Sequence, residues 1–182
     1  MNYHEYYPTD LVNGPGVRST LFVSGCTHAC EGCYNESTWN PNSGSEFTQE
    51  LEDRIIADLQ STEIPRQGLS LSGGDPLHPK NLLAVLKLIG RVRRECPGKD
   101  IWLWTGFTLK EIEDGYYHDV MNPTLQSNHM GLRMTVLGMV DVFIDGKFVQ
   151  ELHDPKLRYR GSSNQKIIEV NNGEFTEVKV CA

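Results

Sequence analysis

Apolar residues in this chain come in short runs, separated by stretches with a helical period. Val17-Arg18-Ser19-Thr20-Leu21-Phe22-Val23-Ser24 reads as a strand that becomes fully buried toward its end. After a polar loop from Glu36 to Phe47, Leu51, Ile55 and Leu59 recur every four residues and predict a helix with one apolar face. Thr48 is its expected N-cap, and Glu50 and Glu52 suit the positive end of the helix dipole. The helix stops near Ser61, ahead of Pro65. Gly68 to Ser72 is a short strand running into Gly73-Gly74-Asp75-Pro76-Leu77. Pro79 suits the first turn of a second helix, with Leu82, Leu86, Ile89 and Val92 as its buried stripe. Ile101 to Thr105 is a further strand, and Thr108 caps a short helix carrying Leu109 and Ile112. From Glu113 to Gly138 the period blurs and predicts no element. Met139 to Asp145 is a strand with a turn at Gly146. Ile167–Val170 and Phe175–Val180 alternate about Asn171-Asn172-Gly173 as a terminal hairpin.

Strands thus alternate with helices, which predicts an α/β domain with ligands at the carboxyl ends of the strands. No repeat or linker interrupts the 182 residues, so a single domain over 1–182 is expected. A net charge of −7 argues against nucleic acid as a partner. The N-terminus has no signal-peptide pattern, and no apolar run approaches the roughly 20 residues that span a bilayer. No membrane association is therefore expected. A cytoplasmic location follows, where thiols stay reduced.

The chemistry concentrates in Cys26-Thr27-His28-Ala29-Cys30-Glu31-Gly32-Cys33, three thiols at C-x3-C-x2-C spacing directly after the first strand. Three thiolates suit a [4Fe–4S] cluster that keeps one iron open for a small molecule, whereas four would suit electron transfer alone. Zinc is the competing reading, but structural zinc usually takes two separated ligand pairs. His28 sits too close to Cys26 and Cys30 to chelate easily beside them. An odd count of five cysteines disfavours a disulfide framework. Cys96 reads as a small buried apolar residue, and Cys181 as incidental. Gly73-Gly74 leaves backbone unobstructed at a strand end, and the Asp75 carboxylate beside it can accept from an ammonium group. Thr105-Gly106 lies at another strand end, as a ligand contact or a plain turn. Asn13-Gly14-Pro15-Gly16 is an ordinary turn or a close backbone approach to a ligand, with Arg18 then offering a charge. Trp39 is a lid or a packing residue. Asp145 reads more safely as a turn carboxylate than as a site residue. Lys156 to Gln165 reads as a solvated cationic loop.

The cysteine triplet resembles that of the radical S-adenosylmethionine (SAM) superfamily, and Gly73-Gly74-Asp75 resembles its Gly-Gly-Glu motif with a shorter acid. An ordered set narrows the resemblance: Asn13 to Arg18, Gly25 to Asn35, Ser72 to Leu77, Trp104 to Phe107, Asp141 to Lys147 and Arg160 to Gln165. Taken together, these are similar to the activating proteins of anaerobic ribonucleoside-triphosphate reductase, a group of glycyl-radical activases. The resemblance implies an open, incomplete radical SAM β/α barrel. Its implied cofactors are a [4Fe–4S] cluster on Cys26, Cys30 and Cys33, and SAM on the open iron. Gly32, Cys33 and Tyr34 would lie along the adenine and Gly74 along the methionine amino group. Gly73, Asp75 and Thr105 are further expected SAM contacts. Reductive SAM cleavage would give a 5′-deoxyadenosyl radical, which takes hydrogen from a glycine of the reductase large subunit. A flavodoxin-like protein would supply the electron. No acid–base side chain is expected to dominate. Alternatives are a radical SAM enzyme acting on a small molecule, such as a deazapurine-forming ring-contraction enzyme, and a non-catalytic metal-binding protein. The stretch from Gly106 to Val140 is longer than in compact members. The Lys156–Gln165 segment is the expected partner contact, through Arg160.

Overall fold

The structure is a computed structural model that describes residues 1–115 and 123–178. The chain opens with β1 (Asn2–Asp10), antiparallel to β2 (Arg18–Val23), and the two-residue β3 (Ser45–Glu46) pairs with the outer edge of β1. From β2 the sheet continues in parallel through β4 (Gly68–Gly73), β5 (Asp100–Trp104) and β6 (Val142–Asp145). β7 (Lys166–Asn171) and β8 (Glu174–Val178) add an antiparallel hairpin to β6. Among the described residues this makes one open, eight-stranded sheet, with β3 and β8 at its edges. The helices are α1 (Gln49–Gln60), α2 (Leu82–Glu95), α3 (Leu109–Asp114) and α4 (Pro123–Leu137).

The parallel strands are covered on both faces, so their residues are buried almost without alternation. Leu21, Val23, Leu69, Leu71, Leu103 and Phe143 pack on the helix side with Ile55, Leu59, Leu88 and Ile89. Each such side chain contributes about 1.5–3 kcal/mol by leaving water. On the opposite face Trp102, Val142, Ile144 and Ile167 form a smaller cluster with Trp104 and Tyr159.

Thr48 caps α1, and a full capping box joins Thr108 and Glu111 at α3. Glu52 does more than complement a dipole. Its buried carboxylate pairs with Lys87 and Arg91 of α2.

Several expectations shift. β1 was not legible because its residues are half-exposed, polar and aromatic, and Tyr6 reaches Asp58 of α1 through its hydroxyl. α2 begins at Leu82, three residues after Pro79, because the Asn81 amide is committed to the carbonyls of Ser24 and Asp75. Its stripe is completed by Val85 and Leu88, while Leu86 is only partly buried. The blurred stretch contains α4, whereas α3 is the short helix expected after Thr108. α4 lacks a clean period partly because Arg133, fully buried, lies over the Phe107 ring where an aliphatic residue would be expected. Residues 116–122 of that stretch and residues 179–182, which include Cys181 and the end of the expected hairpin, lie outside the described residues.

Arg18 does not offer its charge at the cysteine site. It begins β2, whereas Cys26 follows the other end of that strand. Its guanidinium is fully buried, 2.6 Å from Asp100, and donates to Ser70 Oγ and the Leu69 carbonyl. Gly14 makes room for this side chain and not for a ligand: at φ +111°, a Cβ there would sit 2.8 Å from Arg18 Cδ.

Candidate functional site

The carboxyl ends of all four parallel strands meet around one cavity of about 140 Å³. β2 delivers Cys26, β4 delivers Gly73 and Gly74, β5 delivers Thr105 and Gly106, and β6 delivers Gly146. Cys30 and Cys33 complete the wall, and all three thiols are free and partly exposed. The cysteine loop is held at its start by Gly25 N–H to the Thr38 carbonyl and Cys26 N–H to the Trp39 carbonyl. Trp39 itself lines the cavity, and its buried indole N–H has no acceptor among the described residues.

Gly73 and Gly74 are required by their neighbour strand as much as by any ligand. A Cβ on Gly73 would lie 2.8 Å from the Phe22 backbone, and one on Gly74 would lie 2.6 Å from the Gly25 carbonyl oxygen. The Gly74 and Asp75 amides donate to the Val23 and Gly25 carbonyls, both at 2.7 Å. The glycine pair and the root of the cysteine loop are thus zipped backbone to backbone.

Asp75 is buried behind the cavity wall and does not line it. Its carboxylate accepts from His28 Nε2 at 2.7 Å, Leu77 N–H at 2.8 Å, and Thr105 Oγ and Gly106 N–H at 3.0 Å. Burial raises its pKa. The hydrogen bond and charge of His28, with the amides of Leu77 and Gly106, outweigh that and hold it below the ordinary carboxylate value. The Thr105 hydroxyl gives its proton to Asp75 and accepts from the Phe107 amide. His28 is the cysteine-loop side chain that turns inward, onto Asp75 and edge-on to Phe107.

Two of the thiols, Cys26 and Cys30, are hard to ionise without a metal. Burial, reinforced by the Asp75 charge, pushes Cys26 up to about 12. Burial also raises Cys30, against the opposing pull of the Phe148 amide and the Lys147 charge. A metal centre that draws thiolates out of this environment therefore displaces protons as it binds.

The segment after β6 was missed by sequence reasoning, because no motif marks it. Phe148 lines the cavity, and Gln150 lies against Gly32, where a Cβ would overlap its side-chain oxygen. Tyr34 is exposed and stands beside Phe148, with its hydroxyl 3.2 Å from His153 Nε2. Asp145 is buried and accepts from the Leu109 and Lys166 amides, away from the cavity. A wider groove of about 450 Å³ continues from the cavity along the helix-free face. It shares Asn35, Ser72 and Trp104 with the cavity and reaches Asn13, Tyr159 and Arg160. Arg160 donates to the Gln165 carbonyl at 2.6 Å.

The donor set fits an iron–sulfur cubane. Three free thiols rim one cavity, yet among the described residues no three His, Cys, Asp or Glu side chains converge on a single ion. In a cubane each thiolate binds its own iron, so the three need not converge on one ion. Cys96 is remote, buried against Ile56.

Known proteins agree with this geometry. A family model described as a 4Fe-4S single cluster domain matches residues 12–168. An anaerobic ribonucleoside-triphosphate reductase-activating protein from Vibrio cholerae serotype O1 is 58% identical over 167 residues, covering 92% of this chain and 97% of that one. The protein of the same name from Escherichia coli (strain K12) is 56% identical with the same coverage. Another so named, from Enterobacteria phage T4, is 42% identical over 173 residues, 95% of this chain and 97% of its own. With three free thiols, a glycine-lined cavity at four strand ends and this degree of identity along nearly the whole length, the chain belongs to the family of anaerobic ribonucleoside-triphosphate reductase-activating proteins.

Proposed function

We propose that this protein is a radical SAM activase that installs a glycyl radical on an anaerobic ribonucleoside-triphosphate reductase. The observation that carries the reading is the grouping of Cys26, Cys30 and Cys33 with Gly73-Gly74 around one cavity at the strand ends. The names and identities of its relatives support the reductase as partner. On this reading residues 1–182 form one domain, and the open sheet is an incomplete radical SAM barrel.

Cys26, Cys30 and Cys33 would hold the [4Fe–4S] cluster. When bound, the reduced cluster supplies the electron that splits SAM into methionine and a 5′-deoxyadenosyl radical, the species that takes hydrogen from the reductase glycine. The protein's own part is binding, orientation and exclusion of water. The unobstructed Gly73-Gly74 carbonyls accept from the methionine ammonium. Gly32, Cys33 and Tyr34 form the adenine side, with Phe148 and His153 behind Tyr34. The groove along the helix-free face admits the reductase segment, with Arg160 at its far end. A flavodoxin-like protein delivers the electron, and the chain works in the cytoplasm. Among the described residues, no helix is long and apolar enough to cross a membrane.

The test is anaerobic. Protein reconstituted with iron and sulfide is reduced and given SAM, and 5′-deoxyadenosine is quantified beside a Cys30→Ala control. Product from the wild type and none from the control is expected. A complete cluster that leaves SAM intact sinks the reading, and so does stoichiometric zinc in place of iron.

A further inference from the structure

We infer that Asp75 and His28 are positioning residues: the Asp75 carboxylate ties the cysteine loop to the ends of β4 and β5 before any cofactor arrives, and makes no contact with SAM. This rests on the reading of the site proposed above, and it assigns the acidic residue of the glycine motif a different task from accepting the ammonium.

The capacity of the carboxylate is already filled. Two carboxylate oxygens offer about four lone-pair sites. Four donor groups occupy them: the Leu77 and Gly106 amides, the Thr105 hydroxyl and His28 Nε2. Asp75 is 1% exposed and contributes nothing to the cavity wall, whereas Gly73, Gly74, Thr105 and Gly106 all line it. An ammonium arriving from the cavity would have to displace one of these donors, and the displaced group would be left buried and unsatisfied. The backbone of the glycine pair is on the cavity side and free of side chains.

The donors come from three separate loops. His28 belongs to the cysteine loop, Leu77 to the loop after β4, and Thr105 and Gly106 to the loop after β5. Between Cys26 and Cys33, Thr27, Ala29, Glu31 and Gly32 are exposed, which leaves His28 as the inward anchor. Its ring lies so close over Gly106 that a Cβ there would meet it at 2.3 Å. Ala29, next to it, takes a left-handed φ of 49°, which turns the chain between the first two cysteines. Strain of this kind persists only where neighbouring contacts hold it.

The experiment is hydrogen exchange by mass spectrometry on full-length apo protein, followed by SAM binding on reconstituted protein. Peptides covering residues 25–39 are compared among wild type, Asp75→Asn, His28→Leu and His28→Gln, with α1 peptides as internal control. Asp75→Asn and His28→Leu should speed exchange in the cysteine loop by about tenfold or more, the effect of losing a charge-assisted hydrogen bond. His28→Gln keeps a donor and should restore most of the protection. At matched cluster content, Asp75→Asn should change the SAM dissociation constant less than about threefold, well short of the tenfold that 1.4 kcal/mol represents. Unchanged loop exchange in both Asp75→Asn and His28→Leu overturns the inference. A tenfold or greater loss of SAM affinity in Asp75→Asn with unchanged loop exchange does so too, and would put the carboxylate on the ammonium. If Asp75→Asn fails to fold, His28→Leu and its Gln rescue still decide, with no rescue counting against the tie. If wild-type holoprotein binds no SAM, the proposed function fails, while the apo exchange data still test the tie.

Discussion

Replacing Arg18 with Met tests whether this residue serves the fold and not the site. The guanidinium is fully buried at the amino end of β2, over the Trp102 ring at 5.6 Å. It donates to Ser70 Oγ at 2.8 Å and to the Leu69 carbonyl at 3.0 Å. Its 2.6 Å approach to Asp100 Oδ1 is a meeting of charges without hydrogen-bond alignment. Breaking a wholly buried pair costs about 3–5 kcal/mol. The Asp100 side chain is 30% exposed, so water takes up part of its lost partner. Ser70 also keeps its own bond to the Asn13 carbonyl. The low end, about 3 kcal/mol, is therefore expected. Urea unfolding of the apo protein, followed by tryptophan fluorescence, should show the midpoint falling by about 1–1.5 M at an m-value of about 2–3 kcal/mol per M. Asp100→Asn should cost only about 1 kcal/mol, because the amide oxygen still faces the guanidinium and solvent reaches the rest of the side chain. Per bound cluster, 5′-deoxyadenosine formation by Arg18→Met should match the wild type. A midpoint shift under about 0.3 M, or lost turnover at unchanged stability, would refute the reasoning.

Three further outcomes follow from the geometry. Asp10 accepts from Thr20, Asn13 and the Val12 amide. Burial pulls its pKa up, but those bonds, with Thr20 the strongest, hold it below the ordinary 3.8. A depressed native pKa gives stability that is present above 3.8 and lost as pH falls through the native value, so wild-type apo protein should weaken in acid below about pH 4 more steeply than Asp10→Asn; parallel pH profiles of the urea midpoint are the check. Gly74→Ala drives a Cβ to 2.6 Å from the Gly25 oxygen and should cost about 1–3 kcal/mol by overpacking, with iron content falling in the same variant because Cys26 is next in the chain. Cys96→Ala should leave iron and sulfide stoichiometry unchanged and cost about 1 kcal/mol, since Cys96 is a buried apolar residue against Ile56; a missing iron would contradict its remoteness.

The parallel core was legible because its signals are local. Leu21 to Val23 is a short apolar run, Leu69 and Leu71 alternate with serine, Leu51, Ile55 and Leu59 keep a helical period, and Thr48 and Thr108 cap where caps are expected. The strand-end glycines and thiols could be read in the same way, since each follows its strand directly. What failed depended on distant partners. β1 is a strand only because β2 offers it a ladder. α4 hides because a buried arginine breaks the apolar stripe. Arg18 was drawn toward the site by its place in a motif, while the structure pairs it with Asp100, 82 positions away, at the other end of the strands. The cover over the cysteine loop, from Phe148 to His153, carries no periodicity or motif and shows itself only once β6 brings it there.

That cover has a consequence for how the protein is made. Tyr34 meets His153 across 119 positions, and Gln150 closes over Gly32. Translation at about 5–20 residues per second puts roughly 6–24 s between synthesis of the two partners. Throughout that interval the nascent chain carries Cys26, Cys30 and Cys33 without the segment that later packs on them. The same openness admits iron delivery and oxidants alike. On the proposed reading of the site, the three thiols that would take up the cluster therefore wait uncovered from their synthesis until the chain is nearly finished.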